Sequence, residues 1–462
     1  MRNPWLVFLW TAAAVIAASA AHAQDAGGDA HSFLSDPAKT FVLTNARLID
    51  GTGAPARDGV TIVVSNGSIT HVGTAPRATP ADAKQIDLSG HTILPGLVMM
   101  HEHINYFSGA YIWDAQPGSV PKLLLSAGVT TARTAGAEAP QIDLNLKKRI
   151  DEGRSVGPRL FITGPYLNDP KDAFLGDNPV RTADDARAVT AYWGSRGASS
   201  VKVYSAISPD ALRGAVDEAN RRNMHVAGHL GEISCAEAAT IGIHTIEHGL
   251  TSCMKDFGIT PETISSFRYD VSKNVAEQLI KLLVARGVVI VATPPATEAY
   301  KPSAEELSML SPDQLARYKK LVEERPPWLP PLAAMPQWNQ AHRTFERDFV
   351  AAGGRLLVGA DASDGGVVPG YANHNAIIAL VRAGFSPLQV IKFSTADAAE
   401  YLGIGKVVGT VAPGRTADLL IVKGAPDRRI EDIRNVTYVF KDGRAFDPVK
   451  LRASAKGLLG QH

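Results

Sequence analysis

Six residues of this chain have types and spacings that suit them to hold a cation and move protons. His101 and His103 stand two apart in "HEH", and Lys202 lies in "SSVKVY". His229 ends "HVAGH", His248 closes "IHTIEH", and Asp361 follows "LLVGA". Imidazole nitrogens and carboxylate oxygens are ordinary ligands of a transition-metal ion, and a carboxylate can also act as a general base. The segment "GIHTIEHG" (242–249) contains H-x-x-E-H as well. On a helix that pattern is the signature of one group of zinc metalloproteases.

The elements that carry these residues decide between the two chemistries. Gly242 and Gly249 bound the segment and leave six residues, too few for a protease helix. Ile243, Thr245 and Ile246 favour a strand. In a strand His244 and His248 share a face but lie roughly 13 Å apart, at about 3.3 Å per residue, too far to share an ion. The same holds for His225 and His229. In each pair only the second histidine stands at the carboxyl end of its strand, so His225 and His244 are assigned to packing.

Short β-branched runs alternate with helical ones through the middle of the chain. The strand candidates are "TILPGLV", "VTTART", "RLFITG", "ASSVKVY", "MHVAGH", "IHTIEHG", "VVIVAT" and "RLLVGAD". Strands separated by helices imply a parallel sheet, and eight such units imply a closed (β/α)8 TIM-like barrel. The expected barrel spans 93–404. β-rich segments at 39–92 and 405–462, with Asn-Gly at 66–67 and Asp-Gly at 442–443 as turn signals, are expected to form one small composite β-sandwich domain beside it. The overall class is α/β.

Carboxyl ends of strands are where barrel enzymes keep their chemistry. His101 and His103 at the end of the first strand point the same way and can chelate one ion. Lys202, His229, His248 and Asp361 stand at the ends of the fourth, fifth, sixth and eighth. Each has a plainer reading: a hydrogen-bonded core histidine, a snorkelling lysine, a turn or capping aspartate. Six together at the correct ends of five strands argue against coincidence.

Residues 1–23 read as a signal peptide, with Arg2, the apolar run "WLVFLWTAAAVIAA" and a small-residue "AHA" before Gln24. The expected location is periplasmic or secreted, with no membrane association after cleavage. Residues 24–38 read as a flexible lead-in. Removing Arg2 leaves basic and acidic residues equal at 46, so no global charge favours nucleic acid as a partner. Export permits a disulfide between Cys235 and Cys253, but two buried thiols fit as well.

The motifs "ILPGLVMMHEH", "AGVTTART", "VKVY", "HVAGH", "GIHTIEHG", "LLVGAD" and "GTVAPGRTADLLIVKGAP" occur in order over roughly 40–445 and resemble the metal-dependent amidohydrolase superfamily. The nearer likeness is to its imidazolonepropionase-like and prolidase-like (Xaa-Pro dipeptidase-type) branch. The resemblance implies two divalent metal ions, zinc by preference. His101 and His103 then resemble ligands of the more buried ion, and His229 and His248 those of the more exposed one. Lys202 matches a lysine that becomes N-carboxylated and bridges both. An ammonium repels a cation, whereas its carbamate offers two anionic oxygens. Asp361 matches the aspartate that touches the buried ion and shuttles the proton from a metal-bridging hydroxide to the leaving nitrogen. Two departures concern other positions: Thr134 follows Arg133 where the family often has Asp, and Ala376 stands where relatives carry Glu.

Tyr106, Phe107, Tyr111 and Trp113 make the loop after the first strand aromatic. "RPPWLPPLAAMPQW" (325–338) adds Trp328 and Trp338 in the insertion before the eighth strand. These read either as pocket and lid or as loop packing. Tyr204, Arg133, Tyr106 and Tyr111 are the candidate substrate contacts, although Arg133 equally fits a structural ion pair. The reading is a hydrolase cleaving an amide C–N bond of a small molecule, a dipeptide or an N-acyl amino acid. Hydrolysis of a lactone, cyclic amide or phosphotriester is the alternative for the same centre. A non-catalytic scaffold is disfavoured because all six ligands are present. A homo-oligomer is allowed.

Overall fold

Buried β-branched runs form the spine of the structure because a strand covered on both faces has no polar side to show. The computed structural model describes residues 30–74, 81–109, 112–172, 178–260, 263–264, 267–294, 301–324 and 336–461. Residues 1–23, Tyr111 and Trp328 lie outside them. The strands that run through the middle of the chain are β1 (Leu97–Glu102), β2 (Val129–Thr134), β3 in two pieces (Arg159–Phe161 and Thr163–Asn168), β4 (Ser200–Val203), β5 (His225–Gly228), β6 (Thr245–Glu247), β7 (Val289–Ala292) and β8 (Arg355–Val358).

All their pairings are parallel. β1, β2 and the first piece of β3 form a three-stranded sheet. The second piece of β3 continues through β4, β5, β6, β7 and β8, with Asn178–Pro179 on its outer edge. Past the end of β8, the Ala360 and Asp361 amides donate to the His101 carbonyl at 3.2 and 3.0 Å, tying that strand's end to β1. Gly359 permits this approach, since a Cβ there would overlap that of His101. Three of the connecting helices start where the sequence supplies caps. Thr182 and Asp185 make a capping box, and the Ser208 and Ser234 hydroxyls accept from Ala211 and Glu237 amides.

A second sheet of eight strands joins the two ends of the chain. His91–Pro95 pairs parallel with Thr40–Leu48 and antiparallel with Leu419–Lys423, Ile93 opposite Ile421. It has its own core, with Phe41, Ile62, Ile93, Leu419 and Phe440 buried and the Phe41 and Phe440 rings 5.1 Å apart. Asn66-Gly67 and Asp442-Gly443 both take left-handed backbone, as two-residue hairpin turns require. "TILPGLV" is split between the sheets: the chain crosses from one to the other at Gly96, where a Cβ would collide with Thr130.

Residues 30–38 differ from the flexible lead-in expected of them. Ala30–Phe33 form a 3-10 turn with Phe33 buried, and Leu34 bridges to Phe446. The apolar Phe33 and Leu34 have a surface to bury against that only the fold creates. Among the described residues no helix is long and apolar enough to cross a membrane.

Candidate metal centre

The ends of five strands deliver the six candidate ligands to one place. Asp361 Oδ1 lies 3.3 Å from His101 Nε2 and 3.0 Å from His103 Nε2, and its Oδ2 is 3.7 Å from His248 Nδ1. The His229 ring packs 4.7 Å from that of His248, which is itself 4.7 Å from His101. Lys202 is buried from its place in β4, within electrostatic reach of Asp361 and Glu247. Backbone bonds fix the strand ends: the His229 amide donates to Val203 and that of His248 to Val291.

Two of these residues sit in unusual backbone. His248 has φ 62° and Asp361 φ 52°, the left-handed region that a branched or bulky side chain avoids. The turn re-aims each side chain from its strand toward the common centre. His248 is held there by His342, whose Nε2 donates to its carbonyl at 2.8 Å, and by Thr293, 2.7 Å from its Nδ1.

Charge in the site is arranged as a cation site needs it. Burial raises the Asp361 carboxyl, but His101, His103 and His248 outweigh that and hold it well below the usual carboxylate range. Burial lowers His229 to about 4 and pushes His248 well below the usual imidazole value. Burial also brings Lys202 down to about 8, which favours the neutral amine that carboxylation requires. For His103 burial lowers the pKa, but Asp361, with Glu138, more than reverses this. A cation held between His103 and Asp361 would compete with that proton.

The residues fit a metal on their own chemistry. Three of the converging groups, His101, His248 and Asp361, place one ligand atom each within 4.8 Å of the others. His103 Nδ1 is buried without a hydrogen-bond partner, so its other nitrogen carries the contacts of the ring. All four are nitrogen or oxygen donors of the kind zinc, manganese or cobalt accepts.

Behind the ligands lies a charged layer that the sequence reading did not foresee. Glu247, the acidic residue of H-x-x-E-H, is fully buried. Its Oε2 takes His101 Nδ1 at 2.6 Å, and its Oε1 takes Arg133 Nη2 at 2.6 Å and the Thr245 hydroxyl at 3.2 Å. Arg133 also donates from Nε to the Met100 carbonyl at 2.8 Å. Of the two readings of Arg133 the structure corrects the substrate contact: the guanidinium is 1% exposed and spent on Glu247. Its role is to hold Glu247 ionised, so that Glu247 fixes His101 with Nδ1–H outward and Nε2 turned to the site.

Tyr106 is corrected likewise. It is buried, with its hydroxyl donating to the Asp364 carbonyl at 3.3 Å. Tyr204 is half-buried, with its ring 4.7 Å from His229, and keeps its place at the site. The aromatic loop is a hairpin, Asn105–Gly109 with Ile112–Ala115, in which Phe107 and Trp113 pack at 5.0 Å. Arg317, from the helix Pro312–Glu324 of the insertion, stands over Phe107. Trp338 is core, packed on Phe267 and His342. His225 and His244 pack on each other, with His244 bonded to the Val226 amide and Asn220, away from the ligands.

Cys235 and Cys253 form a disulfide. It joins the helix Cys235–Ile241, which follows His229, to the 3-10 helix Gly249–Phe257, which follows His248. A cavity of about 1130 Å³ lies elsewhere, between the helices Lys273–Ala285 and Pro336–Ala351. None of the six ligand candidates lines it.

Known proteins share this fold. The profile of the Amidohydrolase family matches residues 92–446. Adenine deaminase 4 of Rhizobium meliloti (strain 1021) is 42% identical over 71 residues, 15% of this chain and 12% of that protein's length. Phenylurea hydrolase B superposes with a TM-score of 0.70 at 19% identity, covering 92% of this chain and 100% of that one. A Xaa-Pro dipeptidase with methionine bound in its active site gives 0.67 at 22% identity, covering 88% and 100%. Ochratoxinase of A. niger gives 0.64 at 20%, covering 89% and 96%. At these identities the structures share the fold.

Proposed function

This chain belongs to the amidohydrolase family and is a hydrolase acting on carbon–nitrogen bonds, and from that premise we propose that it hydrolyses the amide bond of a dipeptide or N-acyl amino acid at a binuclear metal centre. The observation that carries the reading is the meeting of His101, His103, His248 and Asp361 around one buried point. His101, His103 and Asp361 would hold one divalent ion, His229 and His248 the other, and Lys202 as its carbamate both. When bound, the ions polarise the amide carbonyl and acidify water.

The chain's own residues do the rest. Glu247 and Arg133 hold His101 in the tautomer that offers Nε2. Thr293 and His342 hold His248 at its strained turn. Asp361, kept ionised by the histidines around it, takes the proton of the attacking water and returns it to the leaving nitrogen. The Phe107 amide donates to the Ser363 carbonyl at 2.7 Å and ties the hairpin to the segment that follows Asp361. The likeness to a Xaa-Pro dipeptidase supports a small amide substrate, and the parallel registers support one closed (β/α)8 barrel beside a separate small β-sandwich domain. Residues 1–23 support export to the periplasm or beyond.

Two measurements test this reading. Elemental analysis of active protein should find about two transition-metal ions per chain; one ion or none rejects the binuclear centre. A panel of dipeptides, N-acyl amino acids, lactones and phosphotriesters should be led by an open-chain amide. A lactone or phosphotriester leading by tenfold in kcat/KM, about 1.4 kcal/mol, rejects the amide assignment.

A further inference from the structure

Beside His103 is a group of hydrogen-bond acceptors that nothing in the reaction above uses. Glu138 stands in the loop after β2, and Asp143 in the first turn of the helix Pro140–Asp151. Asn105 opens the hairpin after β1. The Asn105 Nδ2 donates to Glu138 Oε2, which spends the amide's donor end on the carboxylate. Asn105 is 6% exposed, and its Oδ1 is buried with no hydrogen-bond partner. Asp143 is buried as well, and both carboxylates interact electrostatically with His103. Among the described residues no lysine or arginine pairs with either one.

A buried acceptor without a donor is a costly feature to keep, and here three acceptor side chains share one place. What they lack is a cationic donor. An ammonium carries three N–H groups and a charge and can meet a carboxylate and an amide oxygen together. Glu138 is half-buried, so a ligand entering the site can reach it. Arg133, the one cationic side chain among the candidate substrate contacts and so the one suited to a carboxylate, is meanwhile paired with Glu247. Charge recognition at this mouth therefore suits the amine end of a substrate better than its acid end.

We propose that Glu138 and Asn105, backed by Asp143, form a subsite beside His103 that takes a cationic amino group, so that the substrate is a dipeptide with a free amino terminus rather than an N-acyl amino acid. The inference rests on the amide-hydrolase reading for its placement, but its test separates the two.

Metal-loaded wild-type protein and Glu138→Gln are given a dipeptide and its N-acetyl form. Wild type should favour the free amine by about tenfold or more in kcat/KM. Glu138→Gln should bring the two substrates within about threefold of each other, by raising KM for the free amine. Metal content should stay at the wild-type level, and the acetylated form, which has no cation to place, should lose less in kcat/KM than the free amine. In parallel, calorimetry compares binding of phenylalaninamide and its N-acetyl form to both proteins.

A calorimetric preference for the amine that Glu138→Gln removes supports the subsite even if no amide is turned over, in which case the amidase reading alone falls. Amide turnover with no preference between the two forms overturns the subsite and leaves the amidase reading standing. Equal loss of both substrates in Glu138→Gln also overturns it, and makes Glu138 a positioning residue acting through His103.

Discussion

Replacing Glu247 with glutamine removes one charge from the middle of a buried chain, Arg133–Glu247–His101, and leaves its shape. Both contacts are 2.6 Å. At that distance, with an effective dielectric of about 20, the Arg133–Glu247 attraction is about 6 kcal/mol before desolvation is counted. Losing one partner of such a buried pair costs about 3–5 kcal/mol, because the other charge stays behind unpaired.

Geometry adds to the loss. A glutamine amide presents one oxygen and one NH2, and Glu247 faces a donor on each side. Whichever way the amide turns, its NH2 meets either the guanidinium or the imidazole N–H. If His101 escapes by shifting its proton to Nε2, it forfeits the nitrogen it turns toward the metal centre. Glu247→Gln should therefore lose about 3 kcal/mol of stability and about 10–100-fold in metal affinity, although it touches no ion. The assay is urea unfolding of the metal-free protein, with zinc competition against a chromogenic chelator. A variant within about 0.5 kcal/mol of wild type, binding zinc as tightly, would refute the claim that this layer positions His101.

Asp361→Asn should keep the fold and much of the metal but lose several orders of magnitude in kcat; wild-type turnover by stopped assay contradicts its proton-carrying role. Lys202→Ala should remove activity, with partial rescue by short carboxylic acids that fill the space of the proposed carbamate, and full unaided activity rejects the assignment. His374, whose Nε2 donates to the Ala127 carbonyl at 2.7 Å, is pushed by burial from 6.5 to about 4. The unfolded chain takes up this proton first as pH falls, so the contribution is complete above about pH 6.5 and is lost toward pH 4, about 3 kcal/mol in all. His374→Gln should flatten the fall in unfolding midpoint between pH 7.5 and 5, and an unchanged slope argues against it. Replacing Cys235 and Cys253 by serine opens a loop spanning a sequence separation of 18 and should lower stability by about 3 kcal/mol. Equal urea midpoints with and without reductant would show the bond to be absent or inert.

Periodicity and punctuation are local properties, and what depends on them was legible in the residues. Alternating apolar runs and helix caps mark the parallel strands, and the Asn-Gly and Asp-Gly turns mark the hairpins. Gly242 and Gly249 make "IHTIEH" a strand without reference to anything distant. Placing His101, His103, Lys202, His229, His248 and Asp361 at strand ends needed only the direction of the chain and the two-residue period.

Pairing is not local. Glu247 meets Arg133, 114 residues away in sequence, because the fold brings the side chains of β6 and β2 together. No spacing rule distinguishes that from a guanidinium waiting for a substrate. Tyr106 reads as an exposed aromatic loop residue until the loop after β8 covers it. Phe33 and Leu34 read as part of a loose leader until the strand Arg444–Phe446 offers them a wall. Cys235 and Cys253 pair because the segments after β5 and β6 lie side by side, which two thiols in a sequence cannot announce. In each case the deciding energy comes from burying a group against a surface assembled from distant segments, and that surface exists only once the chain has folded.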